Sequence, residues 1–254
     1  MDELRRYENL LVEICPDNAT LGKAAAQMAA GLLKATLSQQ PVANLVLATG
    51  NSQLSFLKHL GEAAGVDWSR VNIFHMDEYA GMPAEHPASF RRFLRQHLVD
   101  MVHPAAFFGV RGEAPDLQVE CARYAGLLLD YPTDICCLGI GENGHLAFND
   151  PPFADFKDPE WVKIVQLDER SRQQQVGEGH FPALADVPRQ AITLTIPALL
   201  SAWRVLAIVP ELRKAEAVRK ALTGPLTTTC PASILRTAVH AHLFLDKESA
   251  ALLD

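Results

Sequence analysis

Three observations predict an α/β fold with a mostly parallel sheet flanked by helices. Short apolar runs alternate along the chain with longer stretches of helical periodicity. Strands separated by helices build βα units, and such units make parallel sheets. With 48% apolar and 21% charged residues, the 254-residue chain can bury a large core. No repeat, low-complexity stretch or long polar linker divides it, so residues 1–254 are read as a single domain.

Each element has its own signal. LLVEI (10–14) is a first strand, and Asn18 or Thr20 is the cap of a helix through AAAQMAAGLLKATL. ANLVLAT (43–49) is a strand, 52–64 a helix, and VNIFHM (71–76) the next strand. Helices are expected over 89–98 and 117–130, then the strand DICCLGI (134–140). KIVQL, AITLTI and RVLAIV are later strands, with the charged helix ELRKAEAVRKAL behind the last. AHLFLD (241–246) closes the sheet.

Charge and cysteine usage exclude several classes of function. Lys plus Arg is 23 against 30 for Asp plus Glu, a formal net charge of -7, which argues against a nucleic-acid partner. The five cysteines are odd in number and form no CxxC pair, so neither a disulfide framework nor a zinc site is indicated. Cys136 and Cys137 lie in an apolar run and read as core. HExxH spacing is missing and the histidines are scattered, so no metal is expected. The N-terminus lacks the apolar stretch of a signal peptide. Pro197 and Arg204 interrupt the most membrane-like window, 191–210, and ITLTI alternates as a strand does. A soluble cytoplasmic protein with no membrane partner is expected.

In open parallel sheets ligands sit beyond the carboxyl ends of the strands. Four strand ends carry candidate chemistry. Thr49-Gly50-Asn51-Ser52 joins a strand to a helix and can offer backbone N–H groups to an anion, with Gly50 allowing close approach. Asp77 and Glu78 follow an apolar strand; adjacent side chains on a strand point to opposite faces, so at most one enters a given pocket. A buried carboxylate there can be a general base. GIGENG (139–144) matches GxGxxG, but Pro151-Pro152 follows closely and no helix can open as a dinucleotide site requires. It reads better as a glycine-rich turn, with Gly144, presenting His145 among Glu142, Asn143 and Asp150. Lys214, beside Arg213, opens a helix after RVLAIV. The P-loop pattern is absent. Anion donors, a carboxylate base and a histidine with no cofactor motif suit cofactor-free proton transfer on a small phosphorylated carbonyl compound.

The stretches LVLATGNS, FHMDEYAGMPAEHPASF, LGIGENGHLAFNDP and VPRQAITLTIPALL resemble the glucosamine-6-phosphate deaminase family, which shares a Rossmann-like fold with 6-phosphogluconolactonases. The resemblance implies conversion of an aminosugar 6-phosphate to the ketose 6-phosphate and ammonia, without metal or nucleotide cofactor. It implies that His145 assists ring opening and that Asp77 moves a proton between C2 and C1. It places the phosphate on Thr49 to Ser52 and on Lys214. Monomers and closed homo-oligomers both occur among such enzymes, and no interface stripe decides between them here.

The chain departs from the family pattern at three positions. Asn143 stands where an Asp is usual, and Asp150 where a Glu is usual. Gln175 stands where a phosphate-binding Arg is usual. Arg172, three residues earlier on a helical face, is expected to replace that cation. A lactonase, suggested by GENGH, and a sugar-phosphate-binding regulator that has lost catalysis are the alternative readings.

Overall fold

The computed structural model describes residues 3–253. The chain opens with an antiparallel pair, β1 (Glu3–Tyr7) and β2 (Leu10–Cys15). Then come α1 (Asn18–Gln39), β3 (Ala43–Leu47), α2 (Leu54–Gly61), β4 (Val71–His75) and β5 (Asp77–Tyr79). Next, α3 (Phe90–Leu94) continues through a π-helical turn, Arg95–Val99, into α4 (Asp100–Val102). β6 (Ala106–Phe108), α5 (Leu117–Asp130), β7 (Ile135–Leu138), β8 (Val162–Gln166) and α6 (Glu169–Gly177) follow. The chain ends with β9 (Gln190–Leu194), α7 (Ile196–Leu200), β10 (Arg204–Val209), α8 (Ala215–Thr223) and β11 (Ala241–Asp246).

Eight strands form one sheet in the order β1-β2-β11-β10-β7-β3-β4-β6. Every pairing in it is parallel except β1 with β2. Every residue of β3, β4 and β7 is buried, which explains why their sequences read as unbroken apolar runs. Successive residues go to opposite faces. Leu45, Leu47, Ile135 and Cys137 pack in one apolar layer with α1 and α2. Val46, Cys136 and Leu138 pack in the other with α5 and α8. α1 buries Ala25, Ala26, Ala29, Ala30 and Leu33 on its sheet side. Asp17 caps it, accepting from the Thr20 N–H at 2.7 Å, in place of the expected Asn18 or Thr20.

KIVQL and AITLTI do not join the parallel sheet. The chain leaves β4 at Met76, and Asp77 pairs with Thr193 in a separate antiparallel sheet, β5-β9-β8. β8 is only half-buried, as suits an antiparallel sheet with one face toward water. Tyr79, Phe90, Phe148 and Phe181 pack together beneath it. β1 (ELRRY) is largely polar and β6 (AFF) is only three residues long; both are sheet edges that are not among the strands expected from the sequence. Among the described residues no helix is long and apolar enough to cross a membrane.

The strand order places the reversal of winding between β3 and β7. From β3 the chain winds outward to β4 and β6, and from β7 it winds the other way to β10 and β11. The carboxyl ends of adjacent strands diverge at such a point and leave a crevice.

Candidate active site

A cleft opens at that reversal. The ends of β3, β4, β7 and β10 all reach it. From β3 come Ala48, Thr49, Gly50 and Ser52. Gly50 has φ 99, a conformation that favours glycine, so the turn runs tightly into α2. Asn51 is turned away, donating from Nδ2 to the Glu178 carbonyl at 3.2 Å.

From β4 come Met76 and Asp77. The Asp77 side chain is buried and accepts no hydrogen bond among the described residues. Burial, and then the nearby Glu78 charge, pushes its carboxyl well above the usual carboxylate range. Glu78 points the other way. It accepts from the Ser89 hydroxyl at 2.8 Å and from the N–H groups of Tyr79, Phe90 and Arg91 at 3.1, 3.2 and 3.1 Å. It thus fixes the start of α3 while Asp77 faces the cleft.

From β7 come Gly139, Ile140, Gly141 and His145. The imidazole lies directly on Gly141, where a Cβ would stand 2.2 Å from His145 Cε1. His145 Nδ1 is 3.0 Å from Asp150 Oδ1 and 3.0 Å from Ser171 Oγ. Asp150 also accepts from Asn143 Nδ2 at 3.0 Å, from the Asp168 N–H at 3.1 Å and from the Ser171 hydroxyl. Burial alone would raise the Asp150 carboxyl, but His145, Ser171 and Asn143 outweigh it and hold it at about 2. Asn143 Oδ1 accepts the His145 N–H at 3.0 Å. Asn143 therefore orients the pair, and the charge opposite the imidazole comes from Asp150. With Nδ1–H turned to Asp150 and Ser171, Nε2 is the nitrogen left to accept a proton. Gly144 donates its N–H to the Gly141 carbonyl at 2.9 Å. It shapes the turn and does not line the cleft, contrary to the expected ligand role.

From β10 comes Lys214, at the end of a 3-10 turn, Leu212–Lys214. It is buried, and its ammonium makes no hydrogen bond or ion pair among the described residues. Burial lowers its pKa, and Glu178 opposes that shift.

α6 closes one side with Gln174 and Gln175, and Glu178 follows its end. Arg172 does not replace the missing cation. Its Nη2 donates to the carbonyls of Leu184 and Val187 at 2.6 and 2.9 Å, away from the cleft. Those carbonyls belong to the 184–187 turn and its exit; Leu184 O also accepts the Val187 N–H at 3.3 Å, and the half-buried guanidinium adds a second donor there and one at Val187. Nothing local in the sequence points to Ser171 or Glu178. Neither belongs to a periodic pattern, and each meets its partners only after folding. Among the described residues no group of three or more His, Cys, Asp or Glu could hold a metal ion. The cleft offers an unpartnered carboxylate, a charge-supported imidazole and an unpartnered ammonium. Together these can bind a small anion and move protons beside it.

The family model for glucosamine-6-phosphate isomerases/6-phosphogluconolactonase matches residues 16–244. A glucosamine-6-phosphate deaminase of Exiguobacterium sibiricum is 37% identical over 225 residues, which is 87% of this chain and 86% of that one. One of Streptococcus uberis is 34% identical over 230 residues, covering 90% of this chain and 94% of that one. A solved structure of a monomeric glucosamine-6-phosphate deaminase superposes with a TM-score of 0.87 at 32% identity, covering 95% of this chain and 99% of that one. A 6-phosphogluconolactonase from Thermotoga maritima superposes with a TM-score of 0.76 at 19% identity, covering 94% and 100%, a likeness of fold. The chain belongs to the glucosamine-6-phosphate isomerase/6-phosphogluconolactonase family.

Proposed function

We propose that this protein converts glucosamine 6-phosphate to fructose 6-phosphate and ammonia. The carrying observation is that Asp77, buried and unpartnered, lines the same cleft as His145. His145 Nε2, supported through Nδ1 by Asp150, takes the anomeric hydroxyl proton and passes it to the ring oxygen as the C1–O5 bond breaks, opening the sugar to the aldehyde. Asp77 then removes the proton from C2 while O1 takes a proton from the substrate's ammonium, giving an enolamine, and Asp77 returns its proton to C1. The resulting C2 imine is attacked by water, and the C–N bond breaks to leave the ketose and ammonia. A carboxyl with a raised proton affinity suits this work, because it must take a weakly acidic proton and give it back. Thr49, Gly50, Ser52 and Lys214 receive the phosphate and fix the sugar's other end.

A lactonase reading rests on likeness of fold and draws no support from the Asp77 geometry, since ester hydrolysis needs no C2–C1 proton shuttle. The test is ammonia release from glucosamine 6-phosphate, with galactosamine 6-phosphate alongside and Asp77→Asn as control. Ammonia from either substrate, lost in the variant, is expected. Sugar-phosphate binding without ammonia would overturn the reading.

A further inference from the structure

Glu178 puts a carboxylate into the anion cradle. Its carboxylate lines the cleft beside Lys214, and a Cβ built on Gly50 would stand 3.8 Å from its Oε2. It accepts from Gln174 Nε2 at 2.7 Å and from Arg213 Nη1 at 2.8 Å, and its Oε2 lies 3.3 Å from His180 Nε2. These are the kinds of contact that a bound phosphate makes.

The charge balance sharpens the point. Arg213 is held by three carboxylates: Glu178, Glu142 at 3.4 Å, and Glu211 through a short hydrogen bond. With Lys214, two cations face three carboxylates. A sugar phosphate adds about −1.5 to −2 at pH 7. That charge cannot sit here beside all three at low cost. Glu211 is ill placed to yield. Its backbone has φ 85, and its N–H is clamped by both Asp246 carboxylate oxygens at 3.2 and 3.1 Å. Neither Glu142 nor Arg213 lines the cleft, and Glu142 holds Arg213 only at the longer distance, so a ligand in the cleft reaches Arg213 by way of the Glu178 carboxylate. Glu178 is both in the cleft and bonded to the cation. His180, Gln174, Arg213 and Lys214 outweigh its burial and hold its carboxyl at about 2, so protonation near neutral pH does not remove the charge.

We propose that Glu178 is a built-in anion that competes with the substrate's phosphate, which binds by displacing that carboxylate and taking over Arg213. Arg213, not Arg172, is then the second phosphate cation beside Lys214. It stands in for the Arg replaced by Gln175. This rests on the sugar-phosphate reading of the cleft. The competition raises the threshold for anions: a ligand must carry enough charge to outbid an internal carboxylate, so a phosphate monoester is accepted and a singly charged acid is not.

The experiment is calorimetric titration of the full chain with inorganic phosphate and with acetate, together with the KM for glucosamine 6-phosphate. Glu178→Gln keeps an acceptor for Gln174 but removes the charge. It is expected to tighten phosphate and lower KM by about tenfold or more, and to narrow the preference of phosphate over acetate. Arg213→Gln is expected to weaken phosphate by a similar factor. Unchanged or weaker phosphate binding in Glu178→Gln would overturn the proposal, since it would make Glu178 only a positioner of Arg213. Should Glu178→Gln fail to fold, Glu178→Asp withdraws the carboxylate by one methylene and is expected to tighten phosphate less; unchanged binding there would overturn it equally. Ammonia release keeps the two readings apart. If the wild type releases ammonia and Glu178→Gln does not tighten phosphate, this inference alone falls. If the wild type releases none from any aminosugar phosphate while the variant binds phosphate more tightly, the deaminase reading falls and the competition stands.

Discussion

Asp77 and Asp150 are both buried carboxylates, and their surroundings drive them in opposite directions. Asp150 has an imidazole, a hydroxyl and an amide to hold its charge. Its folded pKa of about 2 lies below the ordinary 3.8. Its contribution to stability is present above that ordinary value and is lost as pH falls through about 2. Asp77 has no such partners, and its folded pKa lies well above the ordinary one. The folded protein therefore holds that proton more tightly than the unfolded chain does. Stability from Asp77 is full below the ordinary carboxylate range and is lost as pH rises through the raised value. Asp77→Asn removes this liability. We expect the variant to melt above the wild type at neutral pH, with the gap closing toward pH 4, while kcat falls by about 10²–10⁴-fold. Thermal melts across pH, with ammonia assays alongside, check both halves. A variant that melts lower at neutral pH would contradict the raised pKa.

At the scale of elements, the β7 turn shows how a loop supports one ring. Gly141→Ala would put a methyl 2.2 Å from His145 Cε1, so the imidazole must move. A displacement near 1 Å can cost on the order of 10²-fold in rate. We expect a kcat loss of that size with little change in melting temperature, because the glycine carries His145 rather than the core. Steady-state kinetics and a melt decide it; an unaffected kcat would mean the ring has room. α6 gives the complementary case. Arg172 serves the Leu184 and Val187 carbonyls, so Arg172→Ala is expected to leave KM for the sugar phosphate unchanged. It should cost about 1–3 kcal/mol of stability, as the Val187 carbonyl loses the guanidinium donor and Leu184 keeps only the Val187 N–H. A clear rise in KM would restore Arg172 to the phosphate site. The elements themselves were largely legible. β3, β4, β7 and β10 announce themselves by apolar runs because helices cover both faces. β1 is largely polar and β6 is too short to stand out, and a helical face shared by positions 172 and 175 says nothing of where a long guanidinium ends.

Across the whole molecule, the strand order sets the site. Reversal of winding between β3 and β7 opens the crevice, and β4 and β10 bring their ends to its two sides. The same architecture grades local stability. β3, β4 and β7 are buried throughout, while the 153–160 segment is mostly exposed and lies outside both sheets. Amides of the three central strands are expected to exchange last and those of 153–160 first. Hydrogen exchange followed by mass spectrometry reads this directly. Comparable protection in the two regions would contradict the assignment of the core.

The amino-acid sequence by itself determined the α/β class, the order of the main elements and the family, because apolar periodicity and contiguous motifs are local properties. It also brought Asp77, His145 and Lys214 forward, since each ends a recognisable strand. Only the tertiary structure decided that Asp77 faces the cleft while Glu78 anchors α3, and that KIVQL and AITLTI leave the main sheet. It alone brought Ser171 to the His145–Asp150 pair, sent Arg172 to a turn and set Glu178 against Arg213. Those choices depend on partners from 11 to more than 100 residues away along the chain. A polar side chain's destination follows from the charges and unpaired backbone groups that folding brings within reach, and no local pattern encodes them.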